Sequence, residues 1–193
     1  AIGKRLDEIS NAVTQQTTAA FEPAPDYCVV KIPRWPFDKF PHGDRTIGTQ
    51  MKATGEVMAI GRTFEAALQK AVRSLEISRR TLAWEDPSWS RRAAGLPTDP
   101  GVLTPAHWDL IDRPNDLRLW ALMGAIRRGV TIEELNRRTG IDPWFLRKLK
   151  RLVDFERELL GAEITPDLLR KAKLLGFSDE QIGTLADRLP LQV

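Results

Sequence analysis

From Asn115 onward the chain marks one helix end after another, and no other feature narrows its fold as much. Leu117, Trp120, Ala121, Gly124 and Ile126 recur near one helical side as far as Arg128, and Gly129 suits the left-handed residue that closes a helix. Thr131 with Glu134 has the spacing of a capping box, opening a short helix that stops at Gly140. Asp142-Pro143 is a cap followed by a first-turn proline, and the helix it opens turns Phe145, Leu146, Leu149, Leu152 and Val153 to its buried side. Thr165-Pro166 repeats that device for a helix running to Gly176. Ser178 with Gln181 makes a second capping box for the last helix. Five helices joined by short turns predict a compact all-α unit. They share no fixed repeat length, which excludes a solenoid.

Upstream the pattern changes. DYCVVKIP at 26–33, ended by Pro33, and EVMAIG at 56–61 have the residues of strands. RWPFDKFPHGDRTIGTQ at 34–50 carries prolines and glycines and predicts an ordered loop. Thr63 caps a helix in which Phe64, Ala67, Leu68, Ala71, Val72 and Leu75 recur at three and four. Residues 1–13 read as a helix without an N-cap, with Ala1, Ile2, Leu6 and Ile9 along one face. Residues 84–108 hold four prolines and no period, so they predict a long connection. It is rich in tryptophan, and part of it is expected to pack against a neighbour. The chain thus divides into an α+β portion, to about residue 75, and helices.

An apolar content of 42% supports a packed core, and no run reaches the length of about 18 residues that a membrane span needs. No charged-then-apolar leader precedes the fold, so the expected location is cytoplasmic. The single Cys28 fits a reducing compartment, and with only His42 and His107 a zinc site is not expected. From Val102 to Val193 there are 15 Lys and Arg against 14 Asp and Glu, interspersed as on a solvated face.

Five features invite a chemical reading. Gly61-Arg62-Thr63 before a helix resembles an anion-binding turn, but it lacks both the GxxxxGK[ST] and the GxGxxG spacing. Capping is therefore expected, with Arg62 paired to a carboxylate on a neighbouring element. Lys52 and Glu56 read as an ion pair at a strand end, and Glu22 and Asp26 as caps beside a proline turn. No Ser-His-Asp or Cys-His arrangement can be assembled, because His42 and His107 stand in proline-rich loops with no motif around them. TIEELNRRTGIDPWFLRKLKRLV has the helix-turn-helix layout of some DNA readers, with Arg147, Lys148, Lys150 and Arg151 as phosphate contacts. Its second helix opens on Pro143, Trp144, Phe145 and Leu146, where a reading helix presents polar groups, so burial or an interface is preferred. Trp120, Ile126, Trp144, Phe145 and Leu146 are the candidate packing or interface residues. The alternative to an assembly role is a helical DNA-binding or interaction module.

KIPRWPFDKF at 31–40, GTQMKATGEVMAIGRTFEAALQKAVRSLE at 48–76 and GIDPWFL at 140–146 together resemble the large chain of carbamoyl-phosphate synthetase. FEPAPDY at 21–27 is similar to the family's lead-in to the first stretch, whereas residues 83–114 match poorly. The resemblance implies a mainly α fold: a helical oligomerisation-type domain at 77–193 behind a small α+β remnant, residues 1–76, of an ATP-grasp synthetase unit. It implies a piece of a glutamine-dependent ligase making carbamoyl phosphate from bicarbonate, ATP and ammonia for arginine and pyrimidine biosynthesis. The parent uses ATP with Mg or Mn, but the resemblance transfers no catalytic, cofactor-binding or metal residue to this chain, and the piece alone is expected to be inactive. The implied partners are the rest of the large chain, a small glutamine-amidotransferase chain and a second copy, with no nucleic acid or membrane. The opening AIGKRLDEI without Met is read as an internal start. The helix from Phe64 is then expected to bury its stripe against synthetase parts upstream, leaving the first 75 residues less stable.

Overall fold

Alternation along two short segments builds the sheet. In the computed structural model, which describes residues 2–77, 81–89, 103–188 and 193, β1 (Cys28–Arg34) pairs antiparallel with β2 (Gly55–Gly61). The register sets Val30 opposite Ala59 and Ile32 opposite Val57 on the inner face, and Val29 opposite Ile60 and Lys31 opposite Met58 on the outer. Pro33 does not end β1, because Arg34 remains paired and its carbonyl accepts from the Thr54 N–H at 3.0 Å.

Two strands alone are marginal in water. Helix α1 (Phe64–Ser74) covers the ribbon, with the Thr63 hydroxyl accepting from the Ala66 N–H at its start. Ala67, Leu68, Ala71, Val72 and Leu75 are buried within this chain, against β1, β2 and the helices beyond. The stripe is therefore buried within this chain and not, as expected, against synthetase parts upstream. The close approach has a local cause: a Cβ on Gly61 would stand only 3.0 Å from the Ala67 nitrogen.

The helical part follows the cap signals. It comprises α2 (Pro105–Asp112), α3 (Arg118–Arg127), α4 (Ile132–Thr139), α5 (Pro143–Leu159), α6 (Pro166–Leu174) and α7 (Asp179–Leu185). Thr131, Asp142, Thr165 and Ser178 each accept a backbone N–H as N-cap, and Gly129, Gly140 and Gly176 take positive φ. Helix α5 is the longest described helix and packs against α1, α3, α4 and α7, burying Leu146, Leu149, Leu152, Val153 and Leu159. No described helix is long and apolar enough to cross a membrane.

Three sequence expectations are corrected. Residues 105–112 are not connection but helix α2, opened by Thr104 and Pro105 with the same device as α5 and α6. Residues 2–13 are helical only in a single 3-10 turn at Leu6–Glu8. The backbone at Ile9 and Asn11 is taken up by Ala19 and Thr17 in a short antiparallel bridge, and the Asn11 side chain accepts the Val13 and Thr14 N–H groups in the turn between. Glu134 does not complete a capping box; its carboxylate binds Arg137 and Arg138 instead. The tryptophans of the connection do pack, within this chain: Trp89 lies on His107 and Trp84 on Trp120. Residues 90–102 of that connection lie outside the described residues.

Candidate functional site

Polar residues set among apolar ones identify the seam between sheet and helices. On α1, Glu65 and Gln69 share the face of Leu68 and Val72 and are buried with them. Glu65 is fully buried, and its Oε1 accepts from Lys148 Nζ at 3.2 Å and Arg151 at 3.1 Å, both on α5. Its Oε2 has no partner among the described residues. One turn on, Gln69 donates to the Leu175 carbonyl at 3.1 Å and accepts from Gln181 Nε2 at 2.9 Å. Arg73 completes the row, donating to the Gly176 carbonyl at 2.6 Å. Three successive turns of α1 thus clamp α5, the α6–α7 turn and α7. Buried groups of this kind must be matched, and each such match admits one docking geometry.

A second polar cluster ties the described strap 81–89 to the bundle. Arg127 reaches Glu156 at 2.7 Å, Glu85 at 3.0 Å and the Leu82 carbonyl at 2.8 Å, and Arg128 takes the other Glu85 oxygen at 2.7 Å. Burial pushes the Glu85 carboxyl up, but the two arginines outweigh it and hold the group below its ordinary value. Burial likewise opposes the charge on Arg127, and the Glu156 and Glu85 carboxylates together more than restore it.

The loop after β1 is pinned by charge. Arg45 pairs with Asp116 at the start of the α3 region, Nε to Oδ1 at 2.8 Å. Lys52 binds Asp44 and holds its carboxyl down to about 2. The expected Lys52–Glu56 pair is therefore absent; Glu56 instead meets Lys31 across the ribbon at 2.7 Å. Between β1, α3 and α5 lies a cavity of about 420 Å³ lined by apolar groups such as Ile32, Phe37, Leu117 and Phe145.

The candidate packing residues separate into two groups. Trp120, Ile126 and Leu146 are buried, with Trp120 Nε1 donating to the Thr81 carbonyl at 2.9 Å. Trp144 and Phe145 are each 45% exposed and form edge-on pairs with Phe64 at 5.5 Å, so Phe145 leaves the buried side expected for it. His107, expected in a loop, is buried in α2. Of the four cations proposed for phosphate contact, Lys148 and Arg151 are engaged by Glu65 and Lys150 by Asp154. Glu65, Gln69 and the Arg127–Glu156 pair escaped the sequence reading. No local signal marked them: Glu65 and Gln69 fall beside the stripe of Phe64, Ala67, Leu68, Ala71, Val72 and Leu75, not within it.

The family model described as the carbamoyl-phosphate synthetase large chain, oligomerisation domain, matches residues 56–193, from β2 to the end. The chain belongs to the carbamoyl-phosphate synthetase large-chain family. The carbamoyl phosphate synthase large chain of Thermomicrobium roseum is 56% identical over 185 residues, which cover 96% of this chain and 16% of that protein. That of Caldanaerobacter subterraneus is 53% identical over 187 residues, with the same coverage. The large chain's N-terminal section in Methanopyrus kandleri is 49% identical over 200 residues, 96% of this chain and 34% of that protein. The chain therefore spans about a sixth of these synthetase large chains and about a third of the separate section. The seam joins β2–α1 to α5–α7, all inside the region that the family's oligomerisation-domain model matches.

Proposed function

We propose that the chain is the assembly and spacing element of a glutamine-dependent carbamoyl-phosphate synthetase. Through its helices it self-associates, and as a rigid block it fixes the separation of the parent's active units. The parent makes carbamoyl phosphate from bicarbonate, ATP and ammonia released from glutamine by a small chain, serving arginine and pyrimidine biosynthesis. ATP and its Mg or Mn are bound by the parent outside these residues. The supporting observation is the α1 clamp: Glu65 and Gln69 are buried in contact with partners on the helical domain, which favours one rigid geometry over an open reactive pocket.

Sedimentation equilibrium over a wide concentration range tests the reading. An average mass that rises with concentration supports it, and a constant monomer mass overturns the assembly role. Calorimetric titration with Mg-ATP tests the second half: micromolar binding by this chain alone would place a nucleotide site where the proposal has none.

A further inference from the structure

Helix α1 begins at the edge of a groove of about 760 Å³ bounded by α5 and α6. Its floor is apolar, formed by Ala66, Phe155, Leu174 and Leu175, and Leu174 is 68% exposed. Arg62, Arg151, Lys171 and Lys173 stand around that floor, with Asp154 and Glu158 as the lining carboxylates. Those carboxylates are already paired, Asp154 with Lys150 and Arg157, and Glu158 with Lys171 at 3.9 Å. Lys173 has its own partner in Asp179. Arg151 shares Glu65 with Lys148, and Arg62 makes no ion pair or hydrogen bond among the described residues. The surplus charge at the groove is therefore positive. The first turn of α1, with Thr63 and Ala66 in the lining, adds the partial positive charge of a helix start.

We propose that this groove docks an acidic peptide segment bearing apolar side chains, contributed by a partner polypeptide. Its carboxylates pair with Arg62 and Arg151, and its apolar groups cover Phe155 and Leu174. The observations favour this occupant over others. An inorganic anion leaves the apolar floor uncovered. A nucleic-acid backbone likewise leaves Phe155 and the exposed Leu174 without an apolar partner. The Gly61-Arg62-Thr63 turn then has a role besides capping: it holds an unpaired guanidinium at the groove's rim.

Fluorescence anisotropy of a dye-labelled peptide of glutamate and leucine, titrated with the full chain, tests the proposal. A glutamate-serine peptide and a lysine-leucine peptide serve as controls. The glutamate-leucine peptide is expected to bind with an affinity that falls as salt is raised. Arg62→Glu weakens it about tenfold, Leu174→Ser about fivefold, and Arg62→Lys stays within about twofold of the parent. Arg62 is exposed, so its variants keep the fold, which unchanged thermal melting verifies. Equal binding of the glutamate-serine peptide, or indifference to Arg62→Glu, overturns the proposal. Displacement by inorganic phosphate alone does so too. A drop in self-association on Leu174→Ser would make the occupant a second copy and overturn it as well, while leaving the assembly role standing.

Discussion

Gln181 Nε2 donates to Gln69 Oε1 at 2.9 Å, joining α7 to α1 across 112 positions of sequence. Both side chains are buried, and Gln69 also donates to the Leu175 carbonyl. Removing one partner leaves the other dry and unpaired, which costs about 1–3 kcal/mol for each orphaned group. Gln69→Leu is therefore expected to lower stability by about 2–4 kcal/mol in urea denaturation. Adding Gln181→Leu should cost less than the two single changes together, although Gln181 also caps Ser178. Strict additivity would show that the two amides do not interact.

Gly176 and Gly129 provide a matched pair. Both have positive φ, 90° and 85°, where a Cβ costs about 1–2 kcal/mol. Nothing lies near a Cβ at Gly129, whereas at Gly176 it would meet the Ala66 Cα at 2.8 Å, backbone that cannot swing aside. Gly129→Ala should cost about 1 kcal/mol, and Gly176→Ala at least about 2 kcal/mol more, because the clash pushes α1 off the α6–α7 turn. Equal melting temperatures for the two variants would mean that α1 does not need this close approach.

Local signals were legible and partnerships were not. Thr131, Asp142-Pro143, Thr165-Pro166 and Ser178 mark helix starts through residues within four positions of one another, so sequence alone places them. Thr104-Pro105 carries the same mark for α2 and was hidden by the prolines before it, which break the period on which a helix reading depends. Phe145 shows the limit of periodicity. It falls on the apolar arc of α5, yet the arc is wider than the contact, and its outer edge stays 45% exposed beside Phe64. The clamp was less visible still. Glu65 meets residues 83 and 86 positions away, and nothing local distinguishes a buried glutamate from one on a solvated face.

Glu65 also yields an asymmetric prediction. Its carboxylate is sealed, while Lys148 and Arg151 reach it from partly exposed positions, 27% and 60%. Removing both cations strands a buried charge, so Lys148→Met with Arg151→Met is expected to cost about 2–4 kcal/mol, the lower end reflecting the access of water to Arg151. Glu65→Gln, which removes the charge from inside and leaves two cations free to turn to solvent, should cost about 1 kcal/mol. Guanidinium unfolding of the three proteins decides it, and a costlier Glu65→Gln would reverse the account.

His107 makes the strap sensitive to acid. Its Nε2 lies 2.7 Å from the Ala121 carbonyl, which only accepts, so Nε2 carries the hydrogen and the buried Nδ1 presents a lone pair with no partner among the described residues. Trp89 covers the ring at 4.9 Å. Burial holds the pKa below the ordinary 6.5; the Ala121 contact and Glu85 oppose that, and Arg128 reinforces it. The folded chain thus keeps the ring neutral where the unfolded chain has begun to protonate. The stability this supplies is complete above pH 6.5 and is lost as pH falls from there through the lower folded value. Glu85, also held below its ordinary 4.5, adds a second loss in more acidic solution. The melting temperature should therefore fall in two stages on acidification. His107→Gln can keep the donor to Ala121 but has no proton to gain, so it should flatten the first stage and leave the second. A first stage that persists in that variant would assign it to another group.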